Sequence, residues 1–232
     1  MRDRRHVVVM ARRPEPGRVK TRLAAGIGNA AALAFYRSML RRMLTRIGRS
    51  SRWSTVVAVT PPDAATGDET WTLGLPVVPQ SDGDLGERMQ AAIDGRPPGP
   101  VLIVGSDIPD LTPGHIAQAF RLLRSHDAVL GPSDDGGYWL IGAGPSLRLR
   151  SLFGAVRWSS EHALADTLAG LPADARVALL GVLHDIDTAD DLARWRARRK
   201  RIQARCVQRG PMSVPSRPMA SHPMASYPMV FR

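Results

Sequence analysis

An α/β fold with a mixed, mostly parallel sheet and helices on both faces follows from three features of the chain. Short apolar runs with strand character alternate with amphipathic segments of helical period. One pair of strands, near 128 and 141, stands too close in sequence for a crossover helix, so it is antiparallel. The first apolar run, Val7–Ala11, empties directly into a basic loop containing Pro and Gly. In α/β proteins that position commonly receives phosphate-bearing ligands.

The elements follow in order. Val7–Ala11 is a buried strand. The periodicity of Leu33, Tyr36, Leu40, Met43, Leu44 and Ile47 predicts a helix over Ala30–Ile47. Trp53–Thr60 reads as a strand closed by Pro61-Pro62, and Pro76–Pro79 as a short one. Leu85–Ile93 is helical, with Asp84 in the N-cap position. Val101–Gly105 is a further buried strand, and Thr112-Pro113 supplies a cap and a first-turn Pro for the next helix. Ala128–Gly131 and Tyr138–Ile141 form the antiparallel pair. Ser159 or Ser160 is expected to cap a helix reaching about Leu171, Val177–Leu180 is a strand, and Thr188 caps a last helix through Leu192 and Trp195.

The 232 residues suffice for one such domain, and 44% hydrophobic with 23% charged residues is ordinary for a globular protein. No apolar run approaches the ~20 residues of a membrane span. The basic N-terminus precedes too short an apolar stretch for a signal peptide, which points to the cytoplasm. The single cysteine, Cys206, excludes an internal disulfide and a cysteine-based zinc site. The net charge of +11 is unevenly placed: residues 1–191 carry 22 basic and 21 acidic residues, and the other 10 basic residues lie beyond 191 with no acid. The globular part is therefore near neutral, and its composition argues against specific nucleic-acid binding. The domain is expected to span 1–201. Four Pro-Met repeats beyond it predict a disordered basic tail over 202–232, although the run Arg194–Arg205 can prolong the last helix.

Five segments can carry chemistry. In Arg13–Leu23, Gly17 permits a tight turn, and Arg18, Lys20 and Arg22 bring positive charge toward a phosphate. In Val101–Leu111 an apolar strand ends at Gly-Ser-Asp107; a carboxylate there suits Mg²⁺ or Mn²⁺, or else caps the turn, as Asp110 is read to do. In Gly131–Trp139, Asp134 and Asp135 precede Gly136 and Gly137, which allow close backbone approach to a ligand or simply form a hairpin; Tyr138 and Trp139 can stack on a sugar or base. In His184–Leu192, Thr188 and Asp191 form a capping pattern, while Asp185 and Asp187 alternate on an extended segment and can share a cation. In Asp82–Met89, Arg88 can reach a phosphate, or the segment only starts a helix. No Walker A, Gly-x-Gly-x-x-Gly or Gly-x-Ser-x-Gly pattern is present.

Six segments, in order across residues 10–195, resemble a bacterial family of GT-A-like transferases, the DUF2064 group. They are Pro-Gly-Arg-Val-Lys-Thr-Arg-Leu, Gly-Asp-Leu-Gly-Glu-Arg-Met, Gly-Ser-Asp-Ile-Pro-Asp-Leu, Gly-Pro-Ser-Asp-Asp-Gly-Gly-Tyr-Trp-Leu-Ile-Gly, Arg-Trp-Ser-Ser and Asp-Ile-Asp-Thr-Ala-Asp-Asp-Leu. The resemblance implies a single Rossmann-like GT-A domain and a metal-dependent glycosyltransferase using a nucleotide-sugar donor and a small-molecule acceptor. Its alternatives are a guanylyl- or cytidylyltransferase acting on a phosphorylated small molecule, and a non-catalytic nucleotide-binding protein. It places Gly17, Lys20, Arg22, Arg88, Gly136 and Gly137 on the nucleotide sugar or triphosphate. Asp107 and Asp187 fall on Mg²⁺ or Mn²⁺, and Asp134 or Asp135 on the acceptor or donor sugar, or in the role of general base. Asp107-Ile-Pro departs from the Asp-x-Asp signature of GT-A enzymes and leaves glycosyl and nucleotidyl transfer both open.

Overall fold

In the computed structural model, which describes residues 4–66, 70–147 and 152–208, seven strands form one sheet in the order β3-β2-β1-β4-β6-β5-β7. The strands are β1 (His6–Arg12), β2 (Ser54–Thr60), β3 (Val77–Pro79), β4 (Val101–Gly105), β5 (Ala128–Pro132), β6 (Tyr138–Ala143) and β7 (Val177–Leu179). β6 runs antiparallel to β4 and β5, and every other pairing is parallel. The close pair 128–141 thus supplies the one reversed strand among the described residues, as its short connection requires.

The helices are α1 (Thr21–Ile27), α2 (Asn29–Ile47), α3 (Leu85–Asp94), α4 (Pro113–Leu122), α5 (Ala163–Gly170) and α6 (Ala189–Gln208). Residues 1–195 make one compact unit and 196–232 a second. Of the second, residues 196–208 are described, all helical. The last helix thus continues past the expected boundary at 201, and the remainder of the expected tail lies outside the described residues.

The central strands are apolar on both faces because both are covered. One face packs Val7, Val9, Val57, Leu102 and Val104 beneath α2 and α4. The other packs Val8, Val56, Val101, Ile103 and Ile141 against Met89 and Ile93 of α3 and against α5. A third cluster joins Leu23 of α1 and Ala32 of α2 to Ile186 and Leu192. It anchors the segment before α6 onto the first two helices.

Two local readings are corrected. The basic segment Arg13–Leu23, expected as a loop, ends in a helix: α1 begins at Thr21 and runs to Ile27, and its first turn follows Lys20, whose backbone takes the left-handed conformation at φ 50°, ψ 46°. α5 begins at Ala163 rather than after Ser159 or Ser160. Ser159 has φ 58°, and the Ser160 hydroxyl is spent on a turn, donating to Arg157 O and accepting from His162 N. Asp84 and Thr112 do cap α3 and α4, each within a reciprocal capping box.

The segment before α5 is held by an Arg157–Asp166 clamp. The guanidinium donates from Nε and Nη2 to the two carboxylate oxygens, both at 2.8 Å, and Arg157 N adds a third bond at 3.0 Å. These bonds, the side-chain ones first, hold the Asp166 carboxyl well below the usual carboxylate range. A depressed acid stabilises the fold above its ordinary pKa of 3.8, and that contribution is lost as pH falls through the folded value. Asp166→Asn is therefore expected to lower the melting temperature at pH 7, with the gap to the parent closing as pH drops below about 4; paired melting curves across pH 2–8 check this.

Candidate active site

The site lies at the carboxyl ends of β1 and β4. From β1 the chain crosses to β2 and β3 on one side, and then returns to β4 on the other. At such a switch point the loops leaving the two strands diverge and open a crevice. The loop after β1 carries Lys20 into it, and the loop after β4 carries Asp107.

Lys20 is nearly buried, with its side chain 4% exposed, and its Nζ donates to Asp107 Oδ2 at 2.8 Å and to Asp187 Oδ1 at 2.7 Å. Burial is the strongest single influence on this ammonium and pulls its pKa down. The two carboxylates together outweigh it, so the net shift is upward and the lysine is charged. Arg22 Nη1 stands 3.8 Å from the other oxygen of Asp187. Asp107 Oδ1 accepts from the Ser106 hydroxyl at 3.1 Å. Behind Ser106 is Tyr36, whose hydroxyl donates to Arg12 O at 2.9 Å and accepts from Arg12 N at 3.1 Å. Burial raises that phenol to about 12, so it stays protonated and serves as a fixed dipole.

Asp187 reaches this point from the far end of the chain. Ile186, beside it, is buried in the cluster with Leu23, one turn beyond Lys20. Gly26 allows the close approach, since a side chain there would meet Ala189 Cβ at 2.6 Å. The Asp191 carboxylate fixes the turn by accepting from the backbone N of Asp187 (3.1 Å) and Thr188 (2.7 Å). Thr188 and Asp191 are therefore helix-start residues, as their spacing implies. Asp110 is also structural, accepting from Trp195 Nε1 at 3.1 Å.

Two adjoining cavities open around the Lys20–Asp107–Asp187 cluster. The smaller, about 350 Å³, is bounded by Arg12, Arg18, Lys20, Tyr36, Gln80 and Ser106. The Gln80 amide closes its floor by donating to Ala58 O and Ala11 O, tying the ends of β1 and β2 together. The larger, about 520 Å³, has an apolar base of Met10, Met89, Ile103 and Ile141 and a rim carrying Asp135, Tyr138, Trp158, Glu161 and Asp185. Arg22, Asp107 and Asp187 line both. Asp185 is pushed up to about 6, first by burial and then by the charges of Asp187 and Asp135.

The sequence candidates divide accordingly. Lys20, Arg22, Asp107 and Asp187 converge, and Asp135 and Gly137 line the larger cavity. Asp134 does not; its carboxylate pairs with His184 Nδ1 at 2.7 Å. Arg88 lines neither cavity, and its Nε donates to Gly83 O. Gly17 (φ 71°) and Gly136 (φ 84°) shape their loops. Trp139, offered as a stacking surface, is a core residue 2% exposed, packed on Gly131 with its Nε1 bonded to Gly181 O. Period-two alternation sends it to the opposite side from Tyr138. Arg12, Tyr36, Gln80, Ser106, Trp158 and Glu161 escaped the sequence reading. Ser106 and Arg12 were detectable as residues at strand ends, and Trp158 stands in the Arg-Trp-Ser-Ser segment without a role of its own; the others had no local signal.

Among the described residues no group of three or more His, Cys, Asp or Glu is arranged to hold a metal. The donors that are present still fit a hard divalent ion. Asp107 and Asp187 both reach one ammonium nitrogen, so their oxygens can both reach one cation, and Mg²⁺ commonly takes only one or two carboxylates beside substrate phosphates. Also among the described residues, no helix is long and apolar enough to cross a membrane.

Comparisons with known proteins agree with this architecture. The chain is 32% identical to a protein of Desulfovibrio desulfuricans G20 whose crystal structure is described as a "putative nucleotide-diphospho-sugar transferase", with TM-score 0.74 over 81% of this chain and 84% of that one. It shares its fold with glucosyl-3-phosphoglycerate synthase of Mycobacterium tuberculosis, solved with Mn²⁺, UDP-glucose and glycerol 3-phosphate (15% identity, TM-score 0.54, 83% of this chain and 75% of that one). The same fold occurs in 4-diphosphocytidyl-2C-methyl-D-erythritol synthase of Anaerococcus prevotii (11%, TM-score 0.54, 82% and 95%). No curated protein matches the chain. Residues 43–160 match the family described as "Uncharacterized protein conserved in bacteria (DUF2064)", and by that match, which takes in Asp107 and the β5–β6 turn, the chain belongs to the DUF2064 family.

Proposed function

We propose that the protein is a metal-dependent glycosyltransferase that uses a nucleotide-sugar donor. One observation carries this reading: Lys20, Asp107 and Asp187 meet at the switch point, between a basic cavity sized for phosphates and a larger one with an apolar base. The 32%-identical relative and the Mn²⁺- and UDP-glucose-bound neighbour support it.

Glycosyl transfer from such a donor breaks the bond between the anomeric carbon and a phosphate oxygen, and negative charge grows on the departing diphosphate. Preorganised cationic donors in a cleft lower that barrier. Lys20 and Arg22 are placed to donate to diphosphate oxygens, with Arg12 and Arg18 nearby. Asp107 and Asp187 would hold Mg²⁺ or Mn²⁺, which supplies charge neutralisation at the phosphates. Ser106 and Tyr36 keep Asp107 oriented. Asp135, at the rim of the larger cavity and accepting from Gly137 N at 2.9 Å, is placed to take the proton of an acceptor hydroxyl. Asp134, held by His184, orients that turn from outside.

The test is a melting-temperature screen of nucleotide sugars and nucleoside triphosphates with and without Mn²⁺, followed by product analysis. A nucleotide sugar at about 100 times its Kd is expected to add about 2.7 kcal/mol of stability. That gain should require the cation and be lost in Asp107→Asn, with nucleoside diphosphate as the released product. Full cation-dependent binding by Asp107→Asn would refute the assignment, and pyrophosphate release from a triphosphate would mark nucleotidyl transfer instead.

A further inference from the structure

The two cavities differ in charge. Setting aside the three charged residues they share, Arg22, Asp107 and Asp187, the smaller is lined by Arg12, Arg18 and Lys20 with no acid, and the larger by Asp135, Glu161 and Asp185 with no base. Diphosphate belongs to the first. The second would repel an anion, because it brings like charges together at the rim of a cleft. Its remaining polar and aromatic surface suits hydroxyl groups and ring C–H faces: Ser133 and Ser160 lie along it, with Tyr138 and Trp158 set edge to face at 6.5 Å and 71°. The aromatic pair is built in, because Gly86 of α3 passes so close that a side chain there would meet the Trp158 ring at 2.8 Å.

We infer that the acceptor is a hydroxylated molecule bearing no negative charge, a neutral or amino-bearing sugar or polyol, bound against Tyr138 and Trp158 among these carboxylates. The inference rests on the glycosyl-transfer reading. In the reaction the acceptor oxygen bonds to the anomeric carbon as the anomeric carbon–phosphate oxygen bond breaks. The electron pair leaves with the nucleoside diphosphate, and the hydroxyl proton passes to Asp135 and on to water.

The test measures nucleoside diphosphate release from the nucleotide sugar that raises the melting temperature, in the presence of Mn²⁺. Acceptors are offered in matched sets: glucose, glucosamine and glucose 6-phosphate; glycerol and glycerol 3-phosphate. At least one uncharged or amino-bearing member is expected to accelerate release, with its phosphate lower in kcat/KM on the order of tenfold or more. Glu161→Lys should narrow that ratio several-fold, because it reverses one rim charge. A phosphate that matches or exceeds its parent overturns the inference, as does a lack of response to every uncharged and amino-bearing member. Should no nucleotide sugar bind in the first place, the glycosyl-transfer reading falls and the inference with it.

Discussion

Lys20→Met is expected to lower kcat/KM for the nucleotide sugar by roughly 10²–10³, the loss typical of removing one preorganised donor from a site of developing negative charge. The effect should fall mainly on kcat, since Arg12, Arg18 and Arg22 still attract the ground-state phosphates. The same substitution has a second signature. It leaves Asp107 and Asp187 facing one another without the ammonium that now joins them at 2.7–2.8 Å. Both carboxylates are more than one-third exposed, so water screens part of their repulsion and the full cost of a broken buried pair is not reached. It also relieves Lys20 of a left-handed backbone only if α1 shifts, and the cluster around Leu23 opposes that. The variant should therefore fold, melt at lower temperature than the parent, and gain more from added Mg²⁺ or Mn²⁺ than the parent does. Unchanged kcat/KM would remove Lys20 from the chemistry, and an equal cation response in both proteins would separate the carboxylate pair from metal binding.

Gly136→Ala is the second large effect. At φ 84° an alanine carries a left-handed penalty of about 1–2 kcal/mol. Its Cβ would also stand 2.2 Å from Glu161 O and 2.6 Å from Glu161 Cα, main-chain atoms that cannot swing aside. Overpacking adds about 1–3 kcal/mol, so a total near 3 kcal/mol is expected, measurable by denaturant unfolding. Relief can come only by moving the 159–163 segment away from the β5–β6 turn. That segment carries Ser160 and Glu161 on the wall of the larger cavity, and Gly136 O accepts from Leu164 N to hold it there. Acceptor-dependent turnover should thus fall further than nucleotide binding does. Equal losses in both would show that the turn does not separate the two cavities.

The contrast between Lys20 and Asp187 shows how far the residues speak for themselves. Strand–helix alternation was enough to read the sheet and its one antiparallel hairpin, because period and connection length are local properties. A basic loop after β1 and a carboxylate after β4 were legible for the same reason. That Lys20 of this loop donates to both that carboxylate and Asp187 was not, since it depends on Leu23, Ala32, Ile186 and Leu192 packing across some 160 residues of chain, and no pattern within a window reports it. Trp139 and Tyr138 make the same point at short range. Adjacent aromatics look interchangeable in a string, but the Trp139 ring is buried in the core on one face of the sheet and Tyr138 packs on the other. The helix at 21–27 was hidden by its neighbours, because Gly17 and the charged residues around it read as loop. Ser159 and Ser160 carried the composition of a helix cap, and the Arg157–Asp166 clamp drew that turn into another conformation.

The cluster of Leu23, Ala32, Ile186 and Leu192 also sets an order of events. A chain emerging from the ribosome can form β1, α1 and β4 early, but Lys20 lacks its second carboxylate until the segment around Ile186 has been made and has docked on α1. Whatever chemistry the cleft performs is withheld until synthesis of this unit is almost complete. Afterwards, a partial peeling of that small patch would part Asp187 from Lys20 while leaving the sheet intact.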